Sequence, residues 1–417
     1  MPEMANLLKI SHQLDNPAQV VKADIAVFIP SFREASTIGL TARKAALGLK
    51  KFYPAMQSVI VNCDNHSDDG TKEAFFEANE EIPRIYVSTG PSLRGKGANL
   101  TNIFNLADCL SAKVVVILDA NLVSIKASWL KSLIDPILNG NAEYVAPVYV
   151  RHKFDAPISK ALVYPLGRAL MGRRVMQPIC VDHAFSGRLN KLYLNQQWAL
   201  DDRGYKSDIK MLAQAVINQI PICQAVMAHP RLTAGQALDS DLPTAFTYVA
   251  RAMFEMMAET ENHWTRVSRS RPTALAGADI QKVVQAPQVD VDPDYIKTNF
   301  LAFGRRYSEV WREQFSPDVF AAARGIVAAV DEGQEPLMTV NLWQRAIFDA
   351  AVAYKNTNSE KTRDDLIAAL VPLFLVKIMT SFNDLVSLGE REVNAYLESE
   401  AMHFETAKNS LVTRWKA

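Results

Sequence analysis

Oxygen-bearing side chains follow two apolar runs, at positions where a cation or a ribose could be bound. Asp119 and Asn121 come at the end of the run that starts at Val114, and both could offer oxygen atoms to Mg²⁺ or Mn²⁺. Asp64 ends a second run and could accept hydrogen bonds from a base or a ribose, because an ionised carboxylate offers only acceptors. The alternative at both places is a polar turn in which a carboxylate caps the next helix.

A glycine-rich segment, GPSLRGKGAN, places Arg94 and Lys96 near the amino terminus of a predicted helix. This arrangement suits a diphosphate, because a helix amino terminus presents unpaired N–H groups. The spacing of Gly90, Gly95 and Lys96 also matches a P-loop, so a nucleotide phosphatase or kinase stays an alternative. Against it, Gly97 stands where a P-loop needs a serine or threonine hydroxyl for Mg²⁺.

Four further segments carry candidate residues. IPSFREAST joins a buried run to a helix and contains Pro30 and Glu34, although a plain helix start with an acidic first turn fits these two equally well. Later segments supply Asp182 in QPICVDHAFSG, Asp208 in YKSDIKML and His229 in VMAHPR. Histidine is a common metal ligand, but a lone histidine is more often a surface or satisfied residue, and each aspartate has the same alternative.

A predicted sheet determines where these residues lie. From Asp24 to about Val150, short β-branched or apolar runs alternate with helical patterns, which is typical of an α/β fold with a mostly parallel sheet. In such sheets the ligand lies beyond the carboxyl ends of the strands, where the loops converge. The predicted strands are Ile25–Ile29, Gln57–Asn62, Arg84–Val87, Val114–Leu118 and Tyr144–Val150, with helices beginning near Ser36, Thr71, Gly97 and Ala127.

The second half of the chain has a different pattern. After about Ser240 the sequence is helical and contains no convincing strands. We expect an N-terminal extension at 1–23, an α/β domain at 24–239 and a helical domain at 240–417, with an irregular connection over 268–294. The predicted helices are Thr244–Glu261, Val319–Val330, Leu342–Tyr354, Arg363–Ser381 and Glu390–Trp415.

Composition argues against several classes of function. The chain has 417 residues with 45 Lys or Arg and 45 Asp or Glu, so its formal net charge is zero. Nucleic-acid binders and polybasic membrane proteins need a clustered positive surplus, so we expect a small-molecule partner and neither nucleic acid nor membrane. Four scattered cysteines and the lack of a signal peptide predict a cytoplasmic protein with reduced thiols. The helical domain offers apolar faces on which two copies could pair as a homodimer.

Taken together and in order, these segments resemble the GT-A glycosyltransferases. The resemblance is strongest to the retaining group that contains glucosyl-3-phosphoglycerate synthase, mannosylglycerate synthase and glucosylglycerate synthases, and it covers residues 24–231. IPSFREAST is similar to that family's first strand and turn, CDNHSDDGT to its base-reading loop, and RGKG to its diphosphate-adjacent loop. DAN occupies the place of the Asp-x-Asp metal motif, QPICVDHAFS that of the acceptor segment, and AHPR that of a late metal-binding histidine.

The resemblance implies an activity and a role for each residue. It implies a GT-A domain at 24–239 that transfers glucose or mannose, with retention, from a UDP- or GDP-hexose to D-glycerate or 3-phosphoglycerate, using Mg²⁺ or Mn²⁺. The product would be a compatible solute. The implied residues are Pro30, Glu34, Asp64, Gly95, Lys96 and Asp119 for the donor, Asp119, Asn121 and His229 for the metal, Ser159, Asp182 and His183 for the acceptor, and Asp182 and Asp208 for catalysis.

Three departures from the family pattern bear on metal and acceptor. Asn121 replaces the second aspartate of the metal motif and so removes a negative charge, which weakens cation binding. Cys180 and Val181 replace a Gly-Gly pair where the family lets a ligand approach the backbone. Pro157 stands about where phosphoglycerate-using members carry an arginine, which favours unphosphorylated glycerate. A catalytically weak nucleotide-sugar-binding protein therefore stays open beside the P-loop alternative.

Overall fold

The described part of the chain folds into two units, each built from more than one stretch of sequence. The computed structural model describes residues 10–78, 81–200, 205–234, 242–277, 284, 286–287 and 293–417. The sheet unit comprises Met1–Arg151, Val175–Gln236 and Thr273–Pro287, and the helical unit comprises His152–Arg174, Ala237–Pro272 and Gln288–Ala417. Relative to the expected boundary between 239 and 240, His152–Arg174 therefore belongs with the helices and Thr273–Pro287 with the sheet.

A mixed sheet is the framework of the sheet unit. The strands of the described residues are β1 (Ser11–Asp15), β2 (Ile25–Ser31), β3 (Ser58–Asp64), β4 (Arg84–Thr89), β5 (Val114–Ile117), β6 (Tyr144–Val150), β7 (Arg173–Arg174), β8 (His183–Ser186), β9 (Ile222–Pro230), β10 (Arg271–Pro272) and β11 (Ala274–Gly277). In the sheet they lie in the order β1-β4-β3-β2-β5-β8-β6-β9-β11. The remaining two, β7 and β10, pair with each other in the helical unit.

Most neighbours in the sheet run parallel. This holds for β4, β3, β2 and β5, and again for β6, β9 and β11. Two strands run against them, β1 along β4 and β8 between β5 and β6. The predicted α/β fold is confirmed, and each predicted strand is present within two residues of its expected ends. The antiparallel strands were not predicted, because β1 lies in the expected extension and β8 is too short to show an alternating pattern.

Helices accompany the strands and form the second half. They are α1 (Ile38–Phe52), α2 (Thr71–Glu77), α3 (Lys96–Cys109), α4 (Ser128–Leu138), α5 (Tyr164–Met171), α6 (Gly187–Leu194), α7 (Tyr205–Ile217), α8 (Leu242–Glu259), α9 (Glu261–Trp264), α10 (Pro293–Arg306), α11 (Ser308–Gln314), α12 (Pro317–Asp331), α13 (Val340–Asn356), α14 (Glu360–Leu385) and α15 (Glu390–Lys416). In the sheet unit, Ile25, Val27 and Ile29 alternate along β2 and so share one face, where they join a buried core with Ala42 of α1 and Trp129 of α4.

The helical unit is organised around α14, whose apolar residues are buried on all sides. Two indoles find backbone partners there: Trp311 Nε1 donates to the carbonyl of Ala369 at 2.8 Å, and Trp343 Nε1 donates to the carbonyl of Ala161 at 2.7 Å. By length and composition alone α14 could cross a membrane, but 78% of its most apolar window is buried within the protein. The core helix of a globular unit passes the same test.

The five helices predicted for the second half are present. Three more in the described residues, α9, α10 and α11, were not predicted: α9 has only four residues, and charged residues interrupt the apolar pattern of the other two. The stretch expected to be irregular, 268–294, contains β10 and β11 in its described part, and residues 278–283, 285 and 288–292 of it lie outside the described residues. The short β11 pairs with β9 and extends the sheet by one strand.

Candidate active site

The carboxyl ends of the central strands form one edge of the sheet, here called the strand-end edge. β2 has β3 on one side and β5 on the other, so the connections that follow these strands lead in opposite directions at the end of β2. Ligands of open α/β sheets bind at such a reversal of strand order. The predicted residues Pro30, Glu34, Asp64, Lys96 and Asp119 all lie at or after the ends of these strands.

Side chains hold the loops after β2 and β3 together. The backbone N–H of Arg33 donates to Ser67 Oγ at 2.8 Å, and that of Glu34 donates to Thr71 Oγ1 at 2.9 Å. Arg33 and His66 have φ of +57° and +59°, a left-handed conformation that costs roughly 1–2 kcal/mol for a residue with a side chain. Such conformations persist where the surrounding contacts determine them, and they cluster at ligand sites.

Asp64 anchors the loop after β3. It is fully buried, and its carboxylate accepts hydrogen bonds from Ser31 Oγ at 2.6 Å, from Tyr86 Oη at 3.1 Å, and from the N–H and Oγ of Ser67 at 2.6 and 2.7 Å. These four donors account for both carboxylate oxygens. Asp64 therefore holds the loop after β3 in place, and its contact with a nucleobase stays a prediction.

Phe32 is an aromatic ring left exposed at the strand-end edge. It directly follows β2, and 40% of its surface is accessible to solvent. The guanidinium groups of Arg33 and Arg94 lie 5.5 and 5.3 Å from the centre of the ring. A nucleobase that stacks on such a ring gains about 1–3 kcal/mol. Sequence reasoning missed Phe32, although an aromatic residue in a loop at the end of a predicted strand could have indicated it.

Pro30 and Glu34 lie at the end of β2. Pro30 pairs with Cys63 of β3. The carboxylate of Glu34 accepts a hydrogen bond from Thr37 Oγ1 at 2.7 Å. Burial raises the pKa of Glu34 above its ordinary value, and the negative charge of Asp119 raises it further. Glu34 and Asp119, two of the three carboxylates predicted to bind the donor, thus lie within electrostatic reach of each other.

Lys96 forms an ion pair with Asp208. Lys96 begins α3 and Asp208 lies in the first turn of α7, and only 13% and 5% of their side-chain surfaces are exposed. The carbonyl of Gly95 accepts a hydrogen bond from Asn65 Nδ2 at 3.2 Å, which ties the start of α3 to the loop after β3. A predicted diphosphate-binding cation and a predicted catalytic carboxylate are therefore in contact.

Gly97 is glycine for a steric reason. A Cβ at this position would lie 1.9 Å from the carbonyl oxygen of Ala199, a distance at which the backbone itself would have to move. A Cβ added at Gly90, by contrast, would have no other atom within 4 Å. The P-loop alternative thus lacks both the required hydroxyl and the space for a side chain that could carry it.

Arg231 joins two carboxylates at the strand-end edge. Its Nε donates to Asp182 Oδ2 at 2.9 Å, and its Nη2 pairs with Asp119 Oδ2. Asp182 is fully buried and also accepts hydrogen bonds from the N–H of Asp119 at 2.8 Å and from the hydroxyl of Tyr149. Burial acts to lower the pKa of Arg231, but the charges of Asp182 and Asp119 more than offset it, and the pKa is raised.

The residues predicted to bind a metal do not form a cation site as they stand. Both ends of the Asn121 side-chain amide are bonded to the backbone of Ala234. Nδ2 of Asn121 donates to the carbonyl of Ala234 at 3.2 Å, and Oδ1 of Asn121 accepts from the N–H of Ala234 at 3.0 Å. Asp119 uses Oδ1 for the N–H of Asn121 and Oδ2 for Arg231. Over the described part of the chain, no three His, Cys, Asp or Glu side chains gather as metal ligands. With their oxygens already engaged by protein donors, Asp119 and Asn121 as they stand do not fit Mg²⁺ or Mn²⁺.

His229, the third predicted metal ligand, lies at an irregular point of β9. The residue before it, Ala228, has φ of +60°. The pairing of β9 with β6 shifts register between Val148 and Val150. Irregularities of this kind redirect a side chain and are common next to active sites. Metal binding by the half-buried His229 stays a prediction.

His183 and Ser159, both predicted to contact the acceptor, have different surroundings. His183 is fully buried in β8, where its ring stacks on Tyr144 and Phe185 with centroid distances of 5.7 and 6.0 Å. Burial lowers the pKa of His183 to about 3, so the ring is neutral at pH 7. Ser159 begins a π-helical turn, Ser159–Val163, within the helical unit. The structure places the His183 ring in the core, and its contact with an acceptor stays a prediction.

The two groups of charges share one neighbourhood. The thiol of Cys180 is buried, and burial is the main reason why its pKa is raised. Asp208 and Asp182 raise it further, whereas Lys96 and Arg231 oppose the shift. All four charged residues therefore lie within electrostatic reach of Cys180. Of the residues at this edge, sequence reasoning gave no role to Arg231, although its charge two positions after His229 was visible.

Comparison with known proteins gives two kinds of match. Residues 26–190 match the family model for glycosyl transferase family 2. Solved structures of glucosyl-3-phosphoglycerate synthase from Mycobacterium tuberculosis are similar: the complex with phosphoglyceric acid is 20% identical, with 57% of this chain and 79% of that chain covered and a TM-score of 0.45. The complex with Mn²⁺, uridine diphosphate and glucosyl-3-phosphoglycerate is 19% identical (57% and 80% covered, TM-score 0.45), and that with Mg²⁺ and uridine diphosphate is 18% identical (61% and 82%, TM-score 0.43). No curated protein matches the chain.

Proposed function

We propose, from the premise that residues 26–190 form a glycosyltransferase family 2 domain, that the chain transfers a hexose from a nucleotide-diphosphate sugar to a small hydroxy acid. The donor is a UDP- or GDP-linked glucose or mannose. The acceptor is D-glycerate or 3-phosphoglycerate, and the configuration at the anomeric carbon is retained. The product is a compatible solute of the glucosylglycerate or mannosylglycerate type.

One observation carries this proposal. The ion pair Lys96–Asp208 and the bridge from Arg231 to Asp119 and Asp182 gather at the strand-end edge, where the order of the strands reverses. A sugar nucleotide presents a diphosphate that needs cations and sugar hydroxyls that need acceptors. Both kinds of partner are present here as partly buried groups, which act more strongly than exposed ones.

Lys96 and the start of α3 suit the diphosphate of the donor. The N–H groups at a helix amino terminus bind anions, and the ammonium group of Lys96 adds a full charge at the same place. As the bond between the anomeric carbon and the diphosphate oxygen breaks, its electron pair moves to the diphosphate. Cations already in position stabilise that charge without reorganising, which is the largest single effect in many enzymes.

The exposed ring of Phe32 suits the base of the donor, since a base of either kind presents a flat face to it. This supports a nucleotide donor but does not distinguish uracil from guanine. Arg94, which also lies over Phe32, is in the loop between β4 and α3 that precedes Lys96. The base and the diphosphate would therefore contact neighbouring parts of one edge.

Retention follows from the family resemblance and is compatible with the side chains. The acceptor oxygen forms the new bond to the anomeric carbon on the face that the diphosphate leaves, and its proton passes to the departing diphosphate. Asp182 is fully buried and already accepts from Arg231, Tyr149 and the N–H of Asp119, so it acts as a positioning residue. Asp208, which holds Lys96, is assigned the same kind of role.

We also propose a cytoplasmic location and a homodimer. The four cysteines are free, as expected where glutathione and thioredoxin keep thiols reduced. The proposed substrates are small and soluble, so neither nucleic acid nor membrane is needed for the reaction. Light scattering on the purified chain tests the dimer.

The test is a panel assay of the purified chain. UDP-glucose, GDP-glucose and GDP-mannose are each paired with D-glycerate and 3-phosphoglycerate, and both the released nucleoside diphosphate and the glycoside are measured. We expect one pair to turn over clearly faster than the others, with an α-linked product identified by NMR. A β-linked product from an α-linked donor would contradict retention while leaving the transfer itself established.

Two outcomes would favour the alternatives. A donor that raises the melting temperature without any glycoside being formed would indicate a nucleotide-sugar-binding protein. Hydrolysis of ATP or GTP in the absence of any sugar nucleotide would indicate a P-loop-like nucleotide hydrolase, which the space at Gly97 already argues against.

A further inference from the structure

The guanidinium of Arg231 pairs with Asp119, a residue predicted to bind a metal. Arg231 bridges Asp119 and Asp182, and only 14% of its side-chain surface is exposed. Its charge is fixed in place by two carboxylates and by the ring of Tyr149, whose centre lies 6.0 Å from the guanidinium carbon. Two of its nitrogens, Nε and Nη2, make these contacts, which leaves donor N–H groups on the same planar fork for a further anion.

Asp119 and Asp182 also accept hydrogen bonds from other donors, which weakens their attraction for Arg231. Asp182 also accepts from the N–H of Asp119 and from the hydroxyl of Tyr149, and Asp119 accepts from the N–H of Asn121 at 3.1 Å. Asp119 is the more exposed carboxylate, with 23% of its side-chain surface accessible against none for Asp182. An incoming anion would therefore compete with Asp119 for Arg231 and leave the contact with Asp182 in place.

We propose that Arg231 supplies the positive charge at the leaving diphosphate, and that transfer needs no divalent cation. This inference rests on the function proposed above. The diphosphate replaces Asp119 as the hydrogen-bond partner of the Nη atoms of Arg231. The released carboxylate of Asp119 then accepts hydrogen bonds from hydroxyl groups of the hexose. The anomeric carbon–oxygen bond breaks toward the diphosphate, the acceptor oxygen bonds to that carbon, and the acceptor proton neutralises the diphosphate. No metal enters the balance.

The first test measures whether transfer and nucleotide binding need a metal. The chain is stripped with EDTA, and kcat/KM for the best donor is measured in EDTA and with added Mn²⁺ or Mg²⁺. Binding of UDP and GDP is measured under the same conditions by calorimetry. We expect both quantities to change less than about threefold. A hundredfold loss in EDTA that Mn²⁺ restores would overturn the inference.

The second test changes Arg231 itself. Arg231→Met should weaken binding of the nucleoside diphosphate at least tenfold in EDTA and lower kcat/KM about a hundredfold, while Arg231→Lys should retain part of both because it keeps the charge but loses the fork. The matched control is Arg188→Met, which removes an arginine that also pairs with a carboxylate, Glu143, at the opposite edge of the sheet. We expect the control to behave as the wild type. Unchanged binding in Arg231→Met would contradict the assignment.

The two proposals fail in different ways. Turnover that requires Mn²⁺ leaves the transferase standing and overturns the metal-free inference. Metal-free binding of UDP or GDP that Arg231→Met weakens, with no hexose transferred to any acceptor, leaves the inference standing and overturns the transferase. Mn²⁺ titrated into the nucleotide-free chain gives a third reading: tight binding detected by electron paramagnetic resonance would assign the carboxylates to a metal instead.

Discussion

At the scale of single residues, Asp119 and Asp182 have different parts although both contact Arg231. Asp182 is fully buried and held by three neighbours, so its part is to fix positions. Asp119 lies at the end of the strand that delivers it and keeps an exposed face. Of the two, only Asp119 is placed to exchange one partner for another when a ligand arrives.

We expect Asp119→Asn to lower kcat/KM at least a hundredfold. The amide keeps the shape of the side chain but loses the charge that holds Arg231 and that would accept sugar hydroxyls. Folding should survive with a loss of about 1–3 kcal/mol, the cost of weakening one charged hydrogen bond. The measurements are steady-state kinetics and thermal unfolding. Asp108→Asn, an exposed residue of α3, is the control; activity within threefold of wild type in Asp119→Asn would contradict its role.

The burial of His183 predicts how the stability of the folded chain depends on pH. Its pKa is lowered to about 3 in the folded chain, against about 6.5 for an unfolded histidine, so the unfolded state binds more protons between these values. Its contribution to stability is thus intact above pH 6.5 and is lost as pH falls, by about 1.4 kcal/mol per pH unit. His183→Phe, which keeps the ring between Tyr144 and Phe185, should remove this part of the acid sensitivity.

The measurement is urea unfolding at pH 7, 6 and 5, which gives the slope of stability with pH for each variant. His403→Phe, at an exposed position of α15, is the matched control for the loss of a histidine. Equal slopes in His183→Phe and wild type would show that the ring is not held neutral. Loss of transfer in a His183→Phe variant that folds normally would support the acceptor role predicted from the sequence.

Sequence patterns could place Asp119, Asp64 and Lys96 at one edge because each follows a strand, and parallel strands end together. They could not show which charges meet. Lys96 and Asp208 are 112 positions apart, and so are Arg231 and Asp119. Both contacts depend on how α7 and β9 come back to the sheet, and no local periodicity records that. The full burial of His183 was hidden for the same reason, since β8 lies between β5 and β6 against their direction.

At the scale of elements, the start of α3 is set by a close approach of backbone. Gly97 lets the first turn of α3 lie against the carbonyl of Ala199, which positions Lys96 for its pair with Asp208. The helix was predicted from its glycines and its position after a strand. The reason for the third glycine lay in a segment about a hundred residues later, beyond the reach of any motif.

Gly97→Ala should therefore destabilise the chain by about 1–3 kcal/mol, the usual range for an overpacked site, and should weaken nucleotide binding as α3 shifts. Gly90→Ala is the matched control because its added methyl group meets nothing within 4 Å. Denaturant unfolding and calorimetric titration of UDP or GDP measure the two effects. A Gly97→Ala variant as stable as Gly90→Ala would show that the approach to Ala199 is loose.

At the scale of the whole molecule, the two units do not follow the boundary expected at 239. His152–Arg174 belongs to the helical unit, and in it Arg168 is fully buried and pairs with Glu398 and Glu405 of α15. Composition and periodicity showed that the second half is helical. They could not show that one segment of the first half completes it, because that segment has the same apolar helical pattern as any helix of an α/β domain.

A fragment of residues 1–239 should thus aggregate. It would carry α5 without the helices that cover it, leaving the charge of Arg168 and apolar residues such as Leu166 and Leu170 exposed or unpaired. It would also lack β11, which pairs with β9. Soluble yield and gel filtration, compared with the full chain, measure this. A monomeric, soluble fragment that binds UDP or GDP would contradict the division into units.

The helical unit is built from separate segments of the chain, so its parts are synthesised at different times. His152–Arg174 leaves the ribosome more than two hundred residues before Glu398 and Glu405, its partners in α15. At roughly 5–20 residues per second, that interval lasts on the order of 10–50 seconds. During this interval the apolar face of α5 and the side chain of Arg168, which are buried in the folded protein, are exposed on the nascent chain. The protein should therefore depend on a holding chaperone while it is being made, and codons that slow translation between 240 and 390 should lower its yield.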